Sequence, residues 1–265
     1  MFAEQQLSQH KAKPKFMNPG EYERMYRLED TYWWFVGRHR LVEGLIRARY
    51  GRSEAGKPAL NILDVGCGTG AMSARLVKWG SVVSMDFSSL ALQFSRRRGL
   101  NHLLGADAMC LPLASSRFDL ITVMDVLEHL PDDQAALCEF FRVLKPGGRV
   151  IATVPAYQHL WSEHDLALMH HRRYTRDHLS ERFQKAGFHI EKLSHTMTAL
   201  YPVVAIQRRL NASHPPHDPP QAAMPLFPAP INSLLTGIFG MENVLARHVD
   251  LPFGVTIMCV ATKPF

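Results

Sequence analysis

The amino-acid sequence predicts an α/β protein built on a doubly wound, mostly parallel sheet. Three observations carry this. Between about residues 60 and 155, short apolar runs alternate with stretches of helical period. The first run passes straight into Gly66-Cys67-Gly68-Thr69-Gly70, the junction where a strand hands over to a helix. The 265 residues are 46% hydrophobic and 20% charged, enough for a sizeable core in one large domain or a domain with an insertion.

Residues 1–20 are polar, carry Pro14 and Pro19, and read as a flexible tail without a signal-type apolar segment. Residues 21–56 read as a helical cap, with Leu41, Val42, Leu45 and Ile46 at helical spacing. Strands are predicted at 60–65, 81–86, 120–126 and 149–154, with a weaker one at 101–106. Asp132 opens a helix whose stripe is Leu137, Phe140, Phe141 and Leu144. Lys145 is expected in its last turn, and Pro146-Gly147-Gly148 stops it. Right-handed crossovers then place helices on both faces. Residues 156–174 read as irregular and rich in His, Arg and Tyr. A helix follows from about 175 to Gly187, then a strand at 188–195, an apolar helix at 198–210, a loop at 211–230 with seven prolines in twenty positions, a helix at 231–249 and a strand at 254–263.

The net charge is +6, but the basic residues are dispersed and lack the basic–aromatic signature of an RNA-binding module. Four scattered cysteines without a CxxC pair argue against a disulfide framework or zinc site and favour a reducing cytoplasm. No apolar run reaches the ~18 residues of a membrane span.

The alternate glycines let backbone approach a ligand closely at the carboxyl edge of the sheet. The same residues, with Ala71, satisfy a dinucleotide fingerprint, so a nicotinamide-type site is an alternative. Asp64 lies two residues before the loop. Asp86 ends the second strand, where a carboxylate can accept two ribose hydroxyls. Asp107, in Gly105-Ala106-Asp107-Ala108, can accept from an adenine amino group.

With these residues in place, the segments LDVGCGTG, VVSMDFS, GADAMCLPL, FDLITVMDVLEHL and LKPGGRVIATVP resemble the class I S-adenosylmethionine-dependent methyltransferases, in the broad bacterial group related to ubiquinone-biosynthesis enzymes. The resemblance implies a Rossmann-like methyltransferase fold: a seven-stranded sheet with an antiparallel last strand, formed by 57–196 and 253–265, with a helical insertion at 197–252. It implies S-adenosyl-L-methionine as cofactor. Asp64, Gly66, Gly68 and Gly70 would cradle its methionine part, Asp86 the ribose, and Asp107 with Ala108 the adenine; Asp125 would lie at the sulfonium end. Cys67 reads as a small tolerated residue.

Tyr32-Trp33-Trp34-Phe35-Val36-Gly37-Arg38 and Glu163-His164-Asp165 through His170-His171-Arg172-Arg173-Tyr174 resemble, more loosely, a subgroup accompanying cell-envelope glycan and lipid-linked sugar pathways. Arg38 is expected to pair with the cofactor carboxylate, and Trp33 or Trp34 either shields the sulfonium or packs a cap. His129 and His170 are the candidate bases for a hydroxyl acceptor. His164, His171, Arg172, Arg173 and Tyr174 are the candidate acceptor contacts. Some ubiquinone-type relatives hold a divalent ion on an acid-x-x-Glu-His stretch like Asp125-x-x-Glu128-His129. Cofactor contact by Asp125 and loop ordering by the rest is the simpler reading, and no metal ligand is assigned. The expected function is O-methylation of a small or lipid-linked acceptor, in the cytoplasm or peripherally at the inner face of the membrane. The alternatives are a non-catalytic cofactor-binding or scaffold protein and a nucleic-acid methyltransferase.

Overall fold

The computed structural model describes residues 18–51, 59–211 and 225–265. Asn18 caps the first helix, α1 (Pro19–Leu28), by accepting from the Gly20 amide at 2.9 Å, and Pro19 stands where a missing amide costs nothing. The end of the expected tail is thus helical; residues 1–17 lie outside the described residues. After a short turn comes α2 (Trp33–Tyr50), which Gly51 ends at φ 80°.

The sheet then begins with β1 (Leu60–Val65), followed by α3 (Ala71–Leu76), β2 (Gly80–Asp86), α4 (Ser89–Arg97), β3 (Leu103–Gly105), β4 (Phe118–Met124), α5 (Asp133–Val143) and β5 (Leu144–Pro155). A short helix α6 (Glu163–Ala167) and then α7 (Arg176–Lys185) lead to β6 (His189–Thr196). Helices α8 (Tyr201–Asn211) and α9 (Ala229–His248) precede the last strand, β7 (Thr256–Thr262). Most of the expected loop at 211–230 lies outside the described residues.

Strand order is β3-β2-β1-β4-β5-β7-β6, with β7 antiparallel to both its neighbours and the other pairs parallel. Parallel strands must be covered on both faces, and two apolar clusters do this. One face gathers Leu137 and Phe140 from α5 with Leu179 and Phe183 from α7. The other gathers Leu41, Leu45 and Ile46 from α2, Met72 and Leu76 from α3, and Ala246 from α9. The order reverses between β1 and β4, so a ligand crevice is expected at their carboxyl ends.

Two local expectations are corrected. The helix after Asp132 ends at Val143, and Lys145 lies on β5, its Nζ bonded to Asp119 at 2.8 Å. β5 starts early because Leu144 already pairs with Phe118, across a register shift, and this fixes the backbone before Pro146. Residues 156–174 are also more ordered than expected. They hold a 3-10 turn at Gln158–Leu160 and α6, whose Ser162 and Asp165 form a reciprocal capping box.

Candidate active site

The glycine loop has the geometry its composition demands. Gly66, Gly68 and Gly70 all have positive φ, at 65°, 55° and 88°. A Cβ on Gly66 would stand 2.3 Å from Val126 Cγ2, so the loop is packed on its β4 side. A Cβ on Gly68 would meet only the tip of Met25, at 3.4 Å, so this backbone faces a flexible side chain that a ligand can displace. Asp64 lies under the loop. Its oxygens accept from Ser73 and Thr122, both at 2.6 Å, and burial pushes its carboxyl up to about 6 against those bonds. Asp86 accepts from the Gly68 and Ser88 amides at 2.9 and 2.8 Å, tying β2 to the loop; burial raises its carboxyl too. Asp107 follows β3 and caps the Met109 amide at 2.9 Å. The Ala108 methyl group is in the core, which leaves only its backbone for a ligand. Burial raises the Cys67 thiol, in keeping with an inert small residue.

The residues that close over this loop come from α1, the turn after it and the end of α4, which the sequence pattern does not disclose. Tyr22 is buried against Ala91 and Phe94 of α4. Arg98 donates to the carbonyls of Thr69 (2.8 Å) and Tyr26 (3.0 Å) and to Glu29 (3.2 Å) and Asp30 (2.6 Å). The Thr69 hydroxyl donates to Glu29, whose carboxyl burial pushes up to about 7 against Thr69 and Arg98. In the sequence, Arg98 is the last of three arginines and carries no mark of this clamp.

Arg38 is placed differently from expectation. Its guanidinium pairs with Asp125 at 2.5 Å, donates to Thr153 at 2.9 Å and lies 4.2 Å from the centroid of Trp34. Thr153 in turn donates to Asp125 at 3.0 Å, and Asp125 sits at φ 50°. This largely buried group closes the ends of β4 and β5, so Arg38 is already paired rather than free for a cofactor carboxylate. Trp33 packs on Phe239 of α9, as a cap residue does; the Trp34 ring faces Arg38.

The polar cluster beyond β4 joins two loops. Glu128 and His129 lie in a 3-10 turn, Leu127–His129, and His170 follows α6. The rings of His129 and His170 meet edge to face at 4.6 Å, and the His171 amide donates to the Glu128 carbonyl at 2.7 Å. Burial, then His170, pushes His129 down to about 3, too weak for an effective base near neutral pH. His164 stands beside His170, with ring centroids 6.3 Å apart, and burial pushes it down to about 4.

Three of the expected acceptor contacts are corrected. Arg173 is buried and binds Asp165 through two nitrogens, at 2.8 and 3.1 Å, and the Ala156 carbonyl at 3.0 Å. Tyr174 is fully buried and donates to Asp133 at 2.7 Å. Arg172 bonds the Pro131 carbonyl and pairs with Asp133. Each neutralises or satisfies a neighbour within the fold. Burial acts to raise Asp165, but His170, Arg173 and Arg208 outweigh it and hold the carboxyl well below the usual range.

The seven-stranded order with its antiparallel strand β7 and the glycine loop at its switch point is a Rossmann-like methyltransferase fold. Residues 63–152, from β1 to β5, match the family described as a methyltransferase domain. The chain is 32% identical over 111 residues to a ubiquinone biosynthesis O-methyltransferase of Coxiella burnetii, covering 40% of this chain and 47% of that one. It thus spans about half the length of that curated relative. An S-adenosylmethionine-dependent methyltransferase from Thermotoga maritima superposes with a TM-score of 0.58 at 18% identity, over 92% of this chain and 95% of that one. The [4+2]-cyclase SpnF superposes with a TM-score of 0.53 at 22% identity, over 85% and 81%.

Proposed function

We propose that this protein transfers a methyl group from S-adenosylmethionine to an oxygen of a small or lipid-linked acceptor. The observation that carries the reading is the Gly66–Gly70 loop at the sheet's switch point, open at Gly68 and bordered by Asp86. In this reading the glycine backbone holds the methionine part, Asp86 the ribose and Asp107 the adenine. The cofactor supplies a methyl group on a cationic sulfonium. Asp125, held by Arg38 and Thr153, sets the negative edge of the pocket beside that cation. Charge disperses during in-line transfer, so a dry, aligned site supplies most of the rate. The packing of α1 over the loop supports exclusion of water. The acceptor hydroxyl enters beside Glu128 and His170; His170, held by Asp165, takes up its proton, while His129, His164 and His171 flank it. The O-methyltransferase name of the Coxiella relative supports an oxygen acceptor.

The lipid-linked form of the acceptor, and a peripheral position at a membrane, rest on Val203, Ile206 and Leu210 of α8. These are more than 60% exposed, and α8 is tied through Arg208 to the loop that carries His170. Among the described residues, no helix is long and apolar enough to cross a membrane.

The cyclase likeness makes a role without methyl transfer the reading to test against. Isothermal titration should show S-adenosylmethionine binding, lost in Gly68→Arg and weakened about tenfold or more in Asp86→Ala, a carboxylate that would bond two ribose hydroxyls. Labelled cofactor with fractionated extract should pass its methyl group to a small-molecule or lipid fraction. Preferential binding of NAD overturns the cofactor assignment. Cofactor binding with no acceptor-dependent release of S-adenosylhomocysteine favours a non-catalytic role, and label in RNA or DNA favours a nucleic-acid acceptor.

A further inference from the structure

Aromatic side chains gather at the carboxyl edge of the sheet, just beyond the end of β5. The Tyr157 ring stacks nearly parallel to both His159 and His195, with centroids 5.1 and 5.2 Å away and interplanar angles of 20° and 18°. Tyr201 of α8 meets Tyr157 edge to face at 5.8 Å, and its hydroxyl lies 3.0 Å from His159 Nε2. Tyr157 sits at φ 57° and ψ 121°, a backbone that a tyrosine holds only when its surroundings impose it, and such residues cluster at ligand sites. His159 is exposed and Tyr157 and Tyr201 are half-buried, so the group is a platform open to solvent. His195 lies beneath it, 2% exposed. Its Nδ1 donates to the Leu251 carbonyl at 3.2 Å, which makes Nε2 an acceptor, and that buried atom has no partner.

A cation stands beside this platform. The Tyr157 amide donates to the Tyr174 carbonyl at 2.8 Å, so α7 opens next to Tyr157, on Arg176. Arg172 and Arg173 are engaged with Asp133 and Asp165, whereas half-buried Arg176 makes no hydrogen bond and no ion pair among the described residues. Its charge reaches both Tyr157 and His195. Burial, then Tyr201, raises the Tyr157 hydroxyl, and Arg176 draws it down; burial lowers His195, the Leu251 carbonyl works against that, and Arg176 adds to it. A guanidinium partly withdrawn from water and left without a counter-charge is a place for an anion.

We propose that Tyr157, His159, Tyr201 and Arg176 form a subsite for an acceptor whose sugar ring carries an anionic oxygen pair, a phosphate or a carboxylate. The proposal rests on the methyl-transfer reading and names the class of its acceptor. Tyrosine and imidazole present apolar faces with polar edges. A pyranose matches them, with C–H groups on its faces and hydroxyls around its rim, and one of those hydroxyls can supply the donor that His195 Nε2 lacks. A wholly apolar ring would leave these polar edges unused. The guanidinium fork takes two oxygens of one anion. The anion contact thus falls to Arg176, since Arg172 and Arg173 are spent within the fold. Arg208 donates both to the Leu160 carbonyl and to Asp165, so the turn that carries His159 is tied to the loop in which Asp165 holds His170. The subsite therefore borders the proposed methyl-transfer centre.

The test titrates the full chain, with and without saturating S-adenosylhomocysteine, against a panel of hexose 1-phosphates, hexuronates, methyl hexosides, inorganic phosphate and benzoate. At least one hexose 1-phosphate or hexuronate should bind about tenfold or more tighter than its methyl hexoside and than inorganic phosphate. It should also shift the His159 ring resonances, identified by their loss in His159→Gln. The tighter of the two anionic sugars names the anion. Arg176→Gln should bring the anionic sugar down to the affinity of the neutral one, and Tyr157→Leu should weaken both alike, with S-adenosylhomocysteine binding near wild type in each. The wild-type panel needs no variant. Inorganic phosphate binding as tightly as the sugar phosphates, benzoate binding more tightly than every sugar, no sugar binding at all, or an unchanged preference in Arg176→Gln would each overturn the subsite. If S-adenosylhomocysteine binds while no anionic sugar does, the subsite fails and the proposed methyl transfer stands; if S-adenosylhomocysteine itself does not bind, the methyl-transfer reading fails.

Discussion

Asp64 shows how one residue can be legible in type and misread in role. A carboxylate two positions before a glycine loop is expected at a strand end, and it is there. Its oxygens, however, turn inward to Ser73 and Thr122, so it braces α3 and β4 beneath the loop. Burial sets its titration. With the folded carboxyl raised to about 6, above an unfolded value of roughly 3.9, the folded chain holds the proton more tightly. The resulting stabilisation is fully present below about pH 4 and is lost as the pH rises through about 6. Asp64→Asn removes this dependence. The melting temperature of the wild type minus that of the variant should therefore fall between pH 4.5 and 7 in thermal unfolding; a gap that stays flat or widens would refute it. Arg173 fails in the opposite way. A basic loop looks like an anion site in sequence, but Asp165, eight positions earlier, takes the guanidinium once α6 turns the chain back. Only the closed loop reveals that pairing.

The elements were readable where local chemistry fixes them. Asp132, Ser88 and Thr175 cap α5, α4 and α7 through their own side chains, and each lies just before a helical stripe. The Ser162-x-x-Asp165 spacing is likewise a capping-box signal, and it marks α6 inside a stretch otherwise read as irregular. The position of α1 over the glycine loop was not readable, because it depends on Arg98, about 70 residues away in sequence. That clamp gives a prediction for the element. Arg98→Ala removes donors to Thr69, Tyr26, Glu29 and Asp30 together, so α1 should open more often than the sheet does. Amide exchange should speed up at least tenfold in residues 20–30 and stay near wild type in β1 and β4. Equal acceleration in all three would show Arg98 acting on global stability alone.

At the scale of the molecule, the sheet was legible because its alternation repeats, whereas the docking of its two added layers was not. α9 lies on α2 at a place where both chains must be specific. A Cβ on Gly37 would stand 2.0 Å from the Phe239 ring, and Asn243 donates to the Gly37 carbonyl at 2.8 Å. Nothing local distinguishes Gly37 from a weak point in a helix, since its role is set by an aromatic ring some two hundred residues further on. Alanine in a helix interior is ordinarily favourable over glycine by about 1 kcal/mol. Here the contact decides the sign, and overpacking should make Gly37→Ala destabilising by about 1–3 kcal/mol. Phe239→Ala empties a buried ring site and should cost about 3–5 kcal/mol. With the ring gone the Gly37 methyl group no longer clashes, so the double variant should be less destabilised than the sum of the two by about 1 kcal/mol or more. Urea denaturation of the four proteins measures that coupling. Strict additivity would mean that α9 does not read the surface of α2 at Gly37, and that the cap and the insertion are held together by their other contacts alone.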